Sequence, residues 1–387
     1  MLDSQLIPSL ERCQAPPERA LSIPPQFYSS AAVVAAEEDA VFRSSWLGIG
    51  RADVVRDPGD YVALDLAGQS IILLRDKEGA LRAFANTCRH RGARLLDGAG
   101  NCRGIRCPFH SWAYHLDGRL AAAPHMEDAE GFDKGDYPLM PYRVAERAGF
   151  VFICLDPNVP ALDEVLGDFV DVHAPWPLES LVTTRRQETE VGCNWKAFLD
   201  VFNDYYHLPF VHPDSINDVY EPPDPASNVT GAYASQFGVT EGTGGLLTSQ
   251  QAEALPSMPG LTGREAKGVR YTWVFPNMAF AAGTDALWVY EAYPLGPDRC
   301  RVVQTACFPP KTLDTPGAKE KISIYHDRLD AALAEDVDAL ENQQRGLSNP
   351  DAQQGRFQPL LEPNVAAFAR WYAAKMTKFN SEKSMPS

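Results

Sequence analysis

Apolar positions recur along the chain with two different periods, and the period changes near residue 47. From Ala31 to Trp46 the composition is helical, with Val33, Val34, Ala40 and Phe42 as the apolar positions. Beyond Leu47 the pattern becomes that of strands. Tyr61–Ala67 alternates, placing Val62, Leu64 and Leu66 on one side, and Ile71–Leu74 is a short buried run. Asp76-Lys77-Glu78-Gly79 turns into Leu81–Asn86, Tyr114 to Leu120 reads as a hairpin about Asp117-Gly118, and Gly149–Ile153 is a last strand. These short strands predict a small all-β domain over residues 45–155. Residues 1–44 precede it as a Pro-rich arm extended over the surface, followed by the helix.

Pro157 to Pro177 is linker-like, broken by a short amphipathic helix around Leu162–Phe169. Strands are then predicted at Arg185–Val191, Tyr271–Phe275, Leu287–Tyr293 and Arg301–Cys307, the last two joined by a turn at Gly296-Pro297-Asp298. Residues 221–265, rich in Pro, Gly and Ser, read as loops and lids. Ile322–Leu347 is the longest helical pattern, with Ile322, Tyr325, Leu329, Leu333 and Leu340 on one face and Gly346 as a stop. The expected architecture is α+β: the small all-β domain and a larger domain over 156–387, an antiparallel sheet flanked by helices.

Net charge is −16, from 35 basic and 51 acidic residues, which argues against nucleic acid or an anionic membrane as partner. The eight cysteines show no disulfide-like spacing. The N-terminus lacks the charged-then-apolar layout of a signal peptide, and no window approaches the ~20 apolar residues of a membrane span. Together these place the protein in the cytoplasm. Gly242-Thr243-Gly244 falls short of a dinucleotide fingerprint because Leu247 stands where a glycine is needed. Nicotinamide electrons would have to arrive through another protein.

Two loops carry the strongest chemical signal. Cys88-Arg89-His90-Arg91-Gly92 is followed, after sixteen residues between His90 and the next ligand, by Cys107-Pro108-Phe109-His110-Ser111-Trp112. Structural zinc sites usually group Cys with Cys and His with His. Here each half supplies one of each, which suits a [2Fe–2S] cluster with two Cys on one iron and two His on the other. A zinc knuckle is the alternative.

A second group lies in Asn203-Asp204-Tyr205-Tyr206-His207-Leu208-Pro209-Phe210-Val211-His212. Two imidazoles and a nearby carboxylate fit part of a 2-His-1-carboxylate iron site. On a regular helix His207 and His212 would diverge by about 140°; Pro209 offers a kink that relieves this. Asp336 sits on the apolar stripe of the long helix, about 20° from Leu329 and about 40° from Leu340. A carboxylate there is costly unless a cation compensates it. Iron(II) would do so, or an arginine.

Together these sites resemble the catalytic α subunit of the Rieske non-haem iron oxygenases, from about Trp46 to Tyr372. The resemblance implies that Cys88, His90, Cys107 and His110 hold the [2Fe–2S] cluster and that His207, His212 and Asp336 hold a mononuclear Fe(II). It also implies that Asp204 bridges the two metals across a subunit boundary, so that a homotrimer is required. A ferredoxin or a flavin/iron–sulfur reductase would pass on NAD(P)H electrons, and O2 would be the co-substrate in hydroxylating or demethylating a small molecule. Ser111 stands where the family usually has Gly, and Val201 where many members have Asn.

The Glu335-Asp336 to Arg356 pattern looks most like stand-alone oxidisers of quaternary amines such as choline and glycine betaine. Tyr205, Tyr206, Phe210, Trp273, Phe275, Trp288 and Tyr290 are candidates for an aromatic cage, or for ordinary core. An aromatic substrate is the other option. A Rieske electron carrier, or a zinc-stabilised binding protein, would leave His207, His212 and Asp336 unexplained.

Overall fold

The computed structural model describes residues 6–384. The chain divides into two compact units, Phe42–Val159 and Met1–Val41 together with Pro160–Ser387. The N-terminal arm therefore belongs with the second unit. Nor does it lie extended on a surface: Ile7–Leu10 and Gln26–Ser29 are short helices, and Leu10, Cys13, Phe27 and Tyr28 are buried. Proline is tolerated in a first helical turn, so its abundance did not preclude helix here.

The first unit is built of β1 (Trp46–Arg51), β2 (Asp60–Leu66), β3 (Gln69–Arg75), β4 (Leu81–Ala85) and β5 (Ala99–Asn101). It continues with β6 (Ile105–Arg106), β7 (Ala113–Tyr114), β8 (Leu120–Ala122), β9 (Pro141–Arg147) and β10 (Phe150–Cys154). Seven strands form one antiparallel sheet in the order β1-β10-β9-β4-β3-β2-β5, and β6-β7-β8 form a three-stranded sheet. Ile72, Leu74 and Phe84 of the large sheet share one buried cluster with Ile105, Tyr114 and Leu120 of the small one. Cys88 and Cys107 belong to that cluster, so both motif loops are anchored in a packed core. Gly118 has φ +90°, and a Cβ there would meet Phe84 Cε1 at 2.6 Å; only glycine turns the chain so close to the core.

In the second unit, β11 (Val182–Val191), β12 (Tyr233–Val239), β13 (Gly268–Val274), β14 (Met278–Ala282), β15 (Leu287–Pro294) and β16 (Cys300–Phe308) form an antiparallel sheet. Its order is β11-β16-β15-β14-β13-β12. Four helices matter for the site: α1 (Trp195–Phe202), α2 (Leu208–Val211), α3 (Ala318–Leu347) and α4 (Pro363–Ser384). Two strands depart from the sequence expectation. β12 lies inside the stretch read as loops, and β14 was not foreseen. β14 is buried throughout and β12 nearly so, so neither shows the alternation of a half-exposed strand. Gln236 of β12 is fully buried, and its side-chain N–H groups donate to the Asp224 and Leu360 carbonyls. No described helix is long and apolar enough to cross a membrane.

Asn194 caps α1, its side chain accepting from the Lys196 backbone N–H at 3.1 Å. The first turn of α1 is tied to the N-terminal segment and to α4 through one buried ion pair. Lys196 Nζ lies 2.7 Å from Glu37 Oε1, and both side chains are wholly buried. Trp195 Nε1 donates to the other Glu37 oxygen at 2.9 Å, and the Tyr372 hydroxyl donates to Glu37 Oε1. The ammonium also faces the Tyr28, Trp195 and Tyr372 rings at 5.0, 5.1 and 5.3 Å. A buried pair this well satisfied fixes position more than it adds net stability, yet breaking one side is costly. Glu37→Ala, which strands the ammonium, should destabilise the fold by about 3–5 kcal/mol, whereas Glu37→Ala combined with Lys196→Met should recover part of that loss. Thermal and denaturant unfolding of the three proteins checks this; equal midpoints for wild type and Glu37→Ala would contradict it.

Candidate functional site

The motif loops of the first unit turn their sulfurs inward and their imidazoles outward. Cys88 and Cys107 are buried, while His90 and His110 sit half-exposed at the rim. Each loop closes on itself: Cys88 N–H donates to the Ala93 carbonyl and Cys107 N–H to that of Trp112, both at 2.8 Å. The two imidazole rings lie edge to face with centroids 4.7 Å apart, and His90 stacks on Trp112 at 4.9 Å. His110 Nδ1 is buried without a hydrogen-bond partner, as expected of a nitrogen whose lone pair serves a metal. Burial, with Arg91 and His90 nearby, holds the His110 imidazole below its ordinary pKa, favouring the neutral ring that can act as a ligand.

Each half of the motif thus contributes one buried sulfur and one half-exposed imidazole, a division that suits a two-iron cluster with two Cys on one iron and two His on the other. Tyr114 adds a support the sequence did not single out. Its hydroxyl accepts from the Arg89 N–H at 3.0 Å and lies 3.3 Å from Cys88 Sγ, as donor when the sulfur is a thiolate. Ser111 adopts φ 59°, the left-handed backbone that glycine takes without cost, which explains why glycine suits that position. Its hydroxyl accepts from Arg106 at 3.0 Å.

In the second unit the segment carrying both histidines is not a continuous helix. α1 ends at Phe202, the chain runs irregularly through Asn203–His207, and α2 restarts with Pro209 in its first turn. Asp204 Oδ1 accepts from the His207 backbone N–H at 2.9 Å and from its Nδ1 at 2.8 Å, which fixes the break. The obstacle of a five-residue helical step therefore does not arise, and Pro209 is a helix starter instead of a kink. His212 closes α2. The two imidazole centroids are 5.1 Å apart.

Asp336 of α3 completes the group. Its Oδ1 lies 2.9 Å from His212 Nε2 and 3.6 Å from His207 Nε2. His212 Nδ1 meets Glu335 Oε2 at 2.5 Å, and Ser215 Oγ donates to the same oxygen at 2.7 Å. With Nδ1–H of each ring given to a carboxylate, each Nε2 presents a lone pair toward Asp336. Three lone-pair donors then converge with all ligand atoms within 4.8 Å, an arrangement that repels itself unless a cation sits among them. Glu335 was not assigned a role from sequence. Its only signal was an acid immediately before Asp336.

Beside this group lies a cavity walled by Phe202, Tyr205, Tyr271, Trp288 and Tyr290, with Val201, Leu329, Ala332 and Leu333 completing an apolar lining. Tyr205, Trp288 and Tyr290 are thus where an aromatic cage would need them. Trp273 and Phe275 instead pack on Phe368 in the core, and Tyr206 and Phe210 are exposed.

Residues 45–137 match the Rieske [2Fe-2S] domain family, and residues 178–378 match the ring hydroxylating alpha subunit (catalytic domain) family. The chain therefore belongs to the Rieske-type ring-hydroxylating oxygenase α subunits. It is 30% identical to the carnitine monooxygenase oxygenase subunit of Acinetobacter pittii over 87% of each chain. It is 28% identical to the glycine betaine monooxygenase oxygenase subunit of Chromohalobacter salexigens, over 92% of this chain and 86% of that one. A solved quaternary ammonium Rieske monooxygenase, described for carnitine oxidation and inter-subunit electron transfer, superposes with a TM-score of 0.79 at 26% identity, covering 95% of this chain and 98% of that one. The protein is accordingly a terminal oxygenase: its Rieske domain binds a [2Fe–2S] cluster, its catalytic domain uses a mononuclear iron and O2, and its electrons come from a separate partner.

The hydrogen bond from Tyr114 to the Cys88 sulfur stabilises the more negative, reduced cluster. Losing a bond of about 0.5–1.5 kcal/mol corresponds to a few tens of mV for one electron. Tyr114→Phe should lower the cluster midpoint potential by that amount with its visible spectrum retained. Redox titration followed by absorbance measures it; an unchanged or raised potential would contradict the contact.

Proposed function

We propose that the chain is the oxygenase component of a homotrimeric, cytoplasmic monooxygenase for small quaternary-ammonium or aromatic substrates, supplied by a ferredoxin or a flavin/iron–sulfur reductase. His207, His212 and Asp336 are its mononuclear iron ligands, and Cys88, His90, Cys107 and His110 its cluster ligands. The observation that carries the iron site is the convergence of two Nε2 lone pairs and the Asp336 carboxylate, with both Nδ1–H groups committed to Asp204 and Glu335. The absence of any disulfide among the eight cysteines supports a reducing compartment. The two compact units support a division into a cluster domain and a catalytic domain near residues 155–160.

When bound, the cluster and the iron supply electrons one at a time and activate O2, so that RH + O2 + 2e⁻ + 2H⁺ gives ROH and water. The protein's own residues set the conditions. Asp204 and Glu335 hold the two imidazoles in one tautomer and one orientation. The aromatic walls exclude water and offer π faces to a trimethylammonium group. Asp204, half-buried beside His207, is in addition the proposed bridge to the cluster of a neighbouring copy. That reading is supported by the inter-subunit electron transfer described for the solved relative. Hydroxylation next to nitrogen would release an alkyl group as aldehyde, which is demethylation.

Purified protein should carry about three irons per chain, two in the cluster and one alone. Asp336→Ala should lose the single iron, keep the cluster's absorption, and stop coupling O2 uptake to product. Iron analysis, visible spectra and product assay on the same samples check this. Retention of three irons and normal turnover would place the third ligand elsewhere.

A further inference from the structure

One wall of the catalytic cavity holds a guanidinium that the chemistry above leaves unused. Arg328 lies on α3 eight residues before Asp336, which is roughly 12 Å along the helix axis, and both residues line the cavity. Arg328 is only 5% exposed. Its Nη2 donates to the Gly244 carbonyl at 3.0 Å, and its Nε has no partner. No ion pair joins it to a carboxylate among the described residues. The acids around it are engaged elsewhere: Asp330 pairs with Arg185, Asp336 faces the imidazoles, Asp285 is bonded by Thr243 and Tyr325, and Asp327 is exposed.

The Gly-rich segment dismissed as a nucleotide loop is what aims this side chain. A Cβ on Gly244 would stand 2.4 Å from Val269 Cγ2, and one on Gly245 would stand 2.7 Å from Tyr325 Cε1. Glycines let the backbone press in and present the Gly244 carbonyl to Arg328. Tyr220 Oη reaches the same carbonyl at 3.3 Å and the Tyr271 hydroxyl at 2.7 Å, placing phenolic O–H groups near the guanidinium. Burial pushes the Tyr271 and Tyr290 hydroxyls up, and the positive charge of Arg328 opposes that shift in both.

A guanidinium cannot shed its proton at any working pH, and a buried charge without a counter-ion is costly. The remaining open direction is the cavity. We propose that Arg328 is the anchor for a carboxylate on the substrate, so that this oxygenase takes small carboxylates and rejects their neutral counterparts. This deepens the proposed function and rests on the cavity being the oxygenase's substrate site. A carboxylate on Arg328 directs the far end of the molecule into the cavity that His207, His212 and Asp336 also line. In a quaternary-ammonium carboxylate that end is cationic and meets the aromatic walls; in an aromatic carboxylate it is the ring.

The test is binding of matched pairs to the metal-loaded holoprotein by calorimetry: glycine betaine against choline, carnitine against its carboxamide, and benzoate against benzamide. The acid of at least one pair should bind tighter by on the order of 100-fold, and which pair responds separates the cationic from the aromatic source. Arg328→Gln should erase the preference while cluster absorption and iron content stay at wild-type values and the thermal midpoint does not fall, and Arg328→Lys should restore part of it. If the Gln variant fails to fold, the wild-type pairs and the Lys variant decide the matter. Neutral members binding as tightly as acids, no acid binding at all, or a preference surviving in Arg328→Gln would overturn the assignment. Substrate-triggered cluster reoxidation by a neutral member would do so while leaving the oxygenase reading intact; a holoprotein without mononuclear iron would instead defeat that reading.

Discussion

The structure depends on three converging ligand atoms that a bound cation would draw together. Two imidazole nitrogens and a carboxylate oxygen face one another beside a largely apolar cavity, and two further carboxylates prevent the rings from turning away. Asp204 forms its part by interrupting the helical run after Phe202, and Glu335 by standing next to Asp336 on a helix of 30 residues. A long helix suits this task because its packed face, with Leu329, Ala332 and Leu340 buried, holds the backbone that carries Asp336. Loop ligands could then be modest in length, with the precision supplied by the helix.

Two buried cations in the same unit illustrate the difference between structure and function. Lys196 is matched by Glu37, two further donors to that acid and three aromatic rings. Nothing more is needed to hold it. Arg328 has one carbonyl and an idle Nε, and it faces a cavity. The first closes a network; the second waits for a partner that the protein does not contain. The same rule, that buried charge must be compensated, gives opposite conclusions because the surroundings differ.

Much of this was legible in the sequence, for physical reasons. The paired Cys/His loops are short-range motifs whose spacing carries their chemistry, and Asp336 betrayed itself as an acid on an apolar stripe. The antiparallel sheet was foreshadowed by the apolar stretches that became β13, β15 and β16 and by the Gly296-Pro297-Asp298 turn between the last two. What escaped were features that leave no periodic trace. β12 and β14 are almost wholly buried and rich in small residues, so no alternation marked them. The N-terminal arm reads as extended by its prolines, yet it buries Phe27 and Tyr28 in the catalytic unit. Glu335, Tyr114 and Arg328 act through neighbours far off in sequence, Gly244 lying 84 positions from Arg328, and only the fold brings those partners together. Strand aromatics serve both cavity and core, which the sequence alone does not separate: Trp288 and Tyr290 line the cavity, whereas Trp273 and Phe275 pack on Phe368.

The most direct measurement is a single turnover of fully metallated, chemically reduced protein in oxygen-18 gas, with no reductase present and a small carboxylate as substrate. A product alcohol should carry label from O2 in proportion to cluster reoxidised, and on demethylation, where aldehyde oxygen exchanges with water, formaldehyde itself should appear in that proportion. Alcohol oxygen drawn from solvent water, or quantitative hydrogen peroxide with the substrate untouched across the panel, would contradict an oxygenase centred on His207, His212 and Asp336.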